Sequence, residues 1–130
     1  MTFTITPLYV LPLALIYLIL WFRVSSLRSA LGVSIGDGGN MQLLQRIRQH
    51  SNCAEWSSFV LILMILAEGS GASPGYIHAA GALLVLGRSA HPFGLLPETA
   101  GHPLRYVGNG ANLLACFCAL AGIAVAIFGR

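Results

Sequence analysis

From Ile5 to Phe22 the chain runs without one charged side chain, and three more apolar runs follow: Trp56–Ala67, Tyr76–Leu86 and Leu113–Phe128. A helix that crosses a bilayer needs roughly 20 apolar residues, with a range of about 17–25. The first run reaches that length alone, and the last comes within a residue of it. The middle two reach it when the polar segments at their ends are included. Of 130 residues only 8% are charged and 56% are hydrophobic, whereas a soluble domain carries about 25% charged residues. The expectation is an all-α membrane protein: a bundle of four transmembrane helices in a single domain over residues 1–130, with no linker long enough to hold a soluble unit. The residues before the first run carry no basic group, no small-residue cleavage site follows it, and Arg23 and Arg28 come after it. It therefore reads as a retained helix and not as a cleaved signal peptide.

Glycine and proline punctuate the runs. Helix 1 is expected from Ile5 to Arg28, with Pro7 near its start, Pro12 within it, and Trp21, Phe22 and Arg23 as an interfacial anchor. A glycine-rich loop, Leu31–Met41, separates it from helix 2, Met41–Glu68. Helix 3 is expected from Gly75 to Phe93, where Gly81 and Gly87 allow close approach of a neighbour. Helix 4 starts near Leu104, and Ala115, Ala119, Gly122 and Ala126 form a small-residue stripe suited to packing within or between subunits. The arginines are distributed unevenly. Arg23, Arg28, Arg46 and Arg48 flank the first loop, and Arg88 and Arg105 flank the third. The second loop and the N-terminal tail have none, and the C-terminus has only Arg130. The positive-inside rule puts loops one and three in the cytoplasm and both termini on the opposite side. Arg28, Asp37, Arg48, Asn52, Glu55, Arg88, His91 and Arg105 then gather at one leaflet.

The densest polar cluster is Arg46–Trp56, at the entrance of helix 2. Arg48, Asn52 and Glu55 fall at i, i+4 and i+7 and share a helix face. Ionisable groups on a spanning helix are expensive and are functional candidates for that reason. Arginines bind carboxylates in bidentate fashion, Glu55 can bind an ammonium group, and Asn52 offers both a donor and an acceptor. A ligand with two carboxylates, an amine and several peptide groups would suit this set. Positive potential beside a bound thiol would lower its pKa from about 8.5 and favour the nucleophilic thiolate. The competing reading is an ion pair of Glu55 with Arg88 or Arg105 that only holds the bundle together. Arg23, Arg46 and Arg130 read as interface anchors, His50 as outward-facing, His78 as structural and His102 as solvated. Gly36-Asp37-Gly38-Gly39 reads as a tight turn, or as bare N–H groups approaching a polar ligand. The net charge of +3 comes from arginine without any lysine and forms no dense basic stripe, which argues against nucleic acid. Cys53, Cys116 and Cys118 have neither CxxC nor histidine-paired spacing, so neither zinc nor a disulfide is expected. Small four-helix drug exporters resemble one another in a central helix 1 glutamate, and helix 1 here has no acid.

Around helix 2 the pattern Arg48-x-x-x-Asn52-x-x-Glu55, and on helix 3 Gly87-Arg88-x-x-His91, resemble the MAPEG family of membrane-associated proteins in eicosanoid and glutathione metabolism. The likeness covers nearly the whole chain, and its length and Gly-Asp-Gly-Gly loop most resemble the small bacterial members. The resemblance implies a four-helix protomer of a homotrimer in the bacterial inner membrane, with glutathione bound as co-substrate between protomers near the cytoplasmic side and a lipophilic second substrate. It further implies that Arg28, Arg48, Asn52, Glu55, Arg88 and His91 line the glutathione site, and that Arg105 stabilises the thiolate. The chain departs from the family at Ser58, where a proline is usual, and at Leu95 and Asn109, where tyrosines are usual. A noncatalytic binder or scaffold that kept the fold is the alternative.

Overall fold

A computed structural model of the chain describes residues 3–129. Four helices follow one another: α1 (Thr6–Leu31), α2 (Met41–Gly69), α3 (Pro74–Gly94) and α4 (Pro103–Phe128). No strand occurs among the described residues. Each expected boundary holds to within a few residues, because the local chemistry that stops a helix sits where the sequence puts it. Proline opens α1, α3 and α4 in the first turn, where no N–H is needed. The α1 helix stops at Gly32 in the left-handed conformation, φ 66°. The Asn40 side chain accepts the Leu43 N–H at 2.9 Å and starts α2.

The tightest pairing is α3 on α4; α2 touches all three other helices, while α1 packs on α2 and α3 without reaching α4. Three of the four expected spans, α1, α2 and α4, are long and apolar enough to cross a membrane. The α3 helix, with 21 residues, has the length, but it carries His78, Arg88 and His91, and the last two are buried among its neighbours. Polar groups inside a membrane bundle are expected to face its interior in this way.

The core is asymmetric along the bundle. Towards the second loop it is apolar: Val60, Met64, Ala67, Ile77, Ala80, Leu84, Ala115 and Ala119 are buried together. Towards the first and third loops the buried residues are Gln49, Arg88, His91 and Asn112. The small-residue stripe of α4 serves packing within the protomer: Ala115, Ala119, Gly122 and Ala126 are all buried, and a Cβ on Gly122 would meet Tyr76. The outer surface carries Leu11, Leu15, Leu18, Ile62, Phe117 and Phe128, all exposed, as a lipid-facing surface requires.

The end remote from the polar layer has its own fastening. Ile5, at the start of α1, provides no side-chain cap. The Glu68 carboxylate, from the last turn of α2, does so instead. Its Oε1 accepts the N–H groups of Thr4 and Ile5, the latter at 2.8 Å, and its Oε2 accepts the Thr6 N–H at 2.8 Å and the Thr6 hydroxyl at 2.6 Å. A carboxylate at a helix N-terminus also complements the helix dipole.

Candidate functional site

The expected convergence at one end of the bundle is present, and Arg88 is its hub. This residue is 1% exposed. Its Nη1 donates to the Asn52 side-chain oxygen at 2.6 Å and to the Asn52 carbonyl at 3.1 Å, and its Nε donates to Asn112 Oδ1 at 3.0 Å. One guanidinium thus joins α2, α3 and α4. Its Nη2 is buried without a partner, as are Asn112 Nδ2, His91 Nδ1 and Gln49 Oε1. Unsatisfied buried polar atoms are uncommon, and each calls for an explanation such as a water, an ion or a ligand.

Glycine makes the hub possible. A Cβ on Gly87 would collide with Asn112 and the Gly108 carbonyl, and one on Gly108 would lie 2.7 Å from the His91 Cβ. Only bare backbone lets α3 and α4 approach closely enough for Arg88 to reach Asn112 and for His91 to lie against α4. At the end of α3, a Cβ on Gly94 would run into the Arg105 backbone, so the first turn of α4 is seated on the last turn of α3.

The other expected site residues divide by setting. Arg48 and Glu55 are exposed on α2, and Asn52 between them is half-buried and turned in to Arg88. No ion pair occurs among the described residues, so neither Arg88 nor Arg105 neutralises Glu55. Glu55 lines an open cavity of about 480 Å³ with Trp56, Phe59, Leu113 and Cys116, between α2 and α4. Arg48 lines a smaller one of about 150 Å³ with Gln45, Leu95 and Pro97, among others. Arg105 is half-buried, and among the described residues its guanidinium makes one long contact, Nη1 to the Ala100 carbonyl at 3.4 Å. Arg28 is engaged locally: its Nη1 donates to the Gly36 carbonyl at 2.8 Å and lies 3.4 Å from that of Ser34. Within that loop Gly36, Gly38 and Gly39 have φ of 72°, 58° and 74°, and Asp37 Oδ1 accepts the Gly39 N–H at 3.0 Å. The Gly-Asp-Gly-Gly segment is therefore the tight turn, folded onto Arg28.

Several side chains behave differently from expectation. His50 is half-buried and not outward-facing; its ring lies 4.7 Å from that of Tyr17. His102 is not simply solvated, since its Nδ1 accepts the Leu104 N–H at 3.2 Å and caps α4. Arg46 is more than an anchor: its Nη1 donates to the Arg23 carbonyl at 2.8 Å. Arg130 lies outside the described residues. The cysteines are free, with Cys53 and Cys116 buried, and no cluster of potential metal ligands occurs among the described residues.

Sequence reasoning passed over three inward-turned amides: Gln49 and Asn112 are buried and Gln45 is half-buried. Gln49 Nε2 donates to the Pro92 carbonyl at 2.7 Å and Gln45 Nε2 to the Leu95 carbonyl at 2.8 Å, so helix 2 caps the carbonyl end of helix 3. Gln45, Gln49 and Asn52 sit at i, i+4 and i+7, which was a readable signal for one inward face. Asn112 had a signal too, because it falls in step with the α4 small-residue stripe.

The chain matches a family model and curated relatives. The model of the MAPEG family matches residues 6–125. Inner membrane protein YecN of Escherichia coli strain K12 is 31% identical over 116 residues, 89% of this chain and 84% of that protein. The YecN of Escherichia coli O6:H1 matches with the same identity and coverage. No solved structure matches the chain.

Proposed function

The chain belongs to the MAPEG family, and from that membership we propose that it is a glutathione-dependent integral membrane enzyme, carrying out transferase or peroxidase chemistry on a lipophilic electrophile delivered from the bilayer. The observation that carries this reading is the exposed placement of Arg48 and Glu55 on one helix, with no side-chain partner among the described residues. Seven residues at 1.5 Å each separate them by roughly 10 Å along the axis. That spacing suits an extended tripeptide with a carboxylate at one end and an amine at the other. Arg48 holds a glutathione carboxylate, Glu55 its ammonium group, and Asn52 contributes its amide N–H groups, since its oxygen already accepts from Arg88. Arg88 and His91 support the site from beneath, as the buried hub that orients Asn52 and seats α4. Arg28 braces the first loop at the same end of the bundle.

Arg105 is the candidate catalytic residue. Its guanidinium has one long internal contact and can donate to a thiolate, holding the sulfur in its nucleophilic form. In the transferase reaction the thiolate attacks the electrophilic carbon, a C–S bond forms, and the leaving group departs with its electron pair. The site faces outward from a single protomer, which fits a homotrimer whose neighbour closes it. The membrane is the inner membrane of a bacterium, by similarity to YecN, with loops one and three cytoplasmic.

Leu95 and Asn109, where the family usually has tyrosines, favour a second reading, a binder of glutathione-like ligands without turnover. An ultraviolet difference spectrum of the purified protein with glutathione separates the two. A thiolate absorption lost in Arg105→Ala supports the enzyme. Binding without that absorption supports the noncatalytic reading. No binding at all, by thermal shift or spectrum, removes both.

A further inference from the structure

On the other side of Arg88 from α2 and α4, α1 and α3 enclose a groove of about 220 Å³. Ile16, Ile19, Leu20 and Phe93 give it apolar walls, while Arg23, Arg88 and Ser89 contribute its polar groups. Ile19 and Phe93 are exposed, so the groove opens towards the bilayer.

We propose that this groove is a binding site for an anionic phospholipid, with the phosphate held by Arg23 at the rim and the first part of an acyl chain lying along Ile16, Ile19, Leu20 and Phe93. The electrostatics ask for an anion. The Arg23 guanidinium has no hydrogen-bond partner among the described residues. Its backbone carbonyl takes the Arg46 Nη1, so a second positive charge from α2 lies near this turn of α1, outside the groove lining. Arg88 lines the same groove and keeps a buried, unpartnered Nη2. No acid lines it. Basic pockets between membrane helices on the cytoplasmic side recognise lipid headgroups for this reason.

Size and lining select a lipid over a soluble anion. Sites for whole small molecules are about 300–1,000 Å³ and enclose most of the ligand. This groove is smaller and open, so it takes one end of a longer amphiphile. Beyond Arg23, Arg88 and Ser89 its walls are apolar, and an acyl chain matches them along their length where a free phosphate would leave them bare. The groove shares the buried Arg88 with the glutathione site, but Arg23 and Ser89 take no part in that site, so the two readings can be tested separately.

Native mass spectrometry of the full chain, purified in neutral detergent, tests it with phosphatidylglycerol, phosphatidylcholine and inorganic phosphate as separate probes. The expected result is one phosphatidylglycerol per protomer, preferred over phosphatidylcholine and not displaced by inorganic phosphate. Arg23→Gln should weaken that binding about fivefold, as losing one basic residue at an anionic surface implies. Ser89→Trp, at an exposed position, should fill the groove and abolish it. Both variants should keep the parent's glutathione-induced thermal shift. Equal binding of the two lipids, or unchanged phosphatidylglycerol binding in both variants, would overturn the proposal. Displacement by inorganic phosphate would overturn the lipid assignment and leave an anion site.

Discussion

Arg48 and Arg88 share a side chain and differ in circumstance. Arg48 is exposed and makes no side-chain hydrogen bond among the described residues, so its removal should leave the bundle intact. For Arg48→Ala and Glu55→Ala we expect glutathione affinity, read by isothermal titration, to fall tenfold or more. The reason is that a hydrogen bond to a charged group contributes about 1.5–3 kcal/mol. The unfolding midpoint should stay within a degree or two of the parent. Arg88→Ala should do the opposite. It strands the buried Asn112 oxygen, at about 1–3 kcal/mol, together with the half-buried Asn52 oxygen, and should lower thermal stability strongly whether or not ligand is present. Arg88→Lys should not rescue it, because an ammonium point charge cannot span two acceptors on different helices as the planar fork does. The sequence singled out both arginines but not this distinction, since spacing tells which residues share a face and not which face is turned inward. On α2 the inward choice is made by the amides Gln45 and Gln49, which bond the carbonyls ending α3. Neither has a charge that would have drawn notice.

Among elements, the pair α3–α4 depends on small residues and the pair α1–α2 on a carboxylate. Gly108→Leu should push α4 away from His91 and break the Arg88–Asn112 bond. Overpacking of this kind costs about 1–3 kcal/mol, and a lower unfolding midpoint with increased amide exchange in α3 would report it. Glu68→Ala should leave α1 uncapped at a cost of about 1 kcal/mol. Its mark would be faster hydrogen exchange at the amides of Thr4, Ile5 and Thr6, with exchange in α3 and α4 unchanged. The helix ends were legible because Pro7, Pro74, Pro103, Gly32 and Asn40 each do locally what their chemistry dictates. The Glu68 clasp was not, since its partners lie more than sixty positions away and nothing in the local pattern marks a glutamate as the cap of another helix.

For the whole molecule, arginine bias predicted that one end of the bundle would be polar, and the buried layer of Gln49, Arg88, His91 and Asn112 is found at that end. Sidedness itself can be measured. A cysteine introduced at Ser34, exposed in the first loop, should react with an impermeant thiol reagent only from the cytoplasmic side, and one at Ser73 only from the opposite side. The reverse pattern would move the candidate glutathione site to the wrong compartment for a cytoplasmic thiol.

The Glu68 clasp also bears on the order in which such a chain is made. The amides of Thr4, Ile5 and Thr6 leave the ribosome long before the carboxylate that accepts them. Until α2 has crossed back, the leading end of α1 has no protein acceptor for those groups and must keep them in the headgroup region, where water is available. The cap of the first helix is therefore completed only by the second, and α1 and α2 reach their final form together as a hairpin.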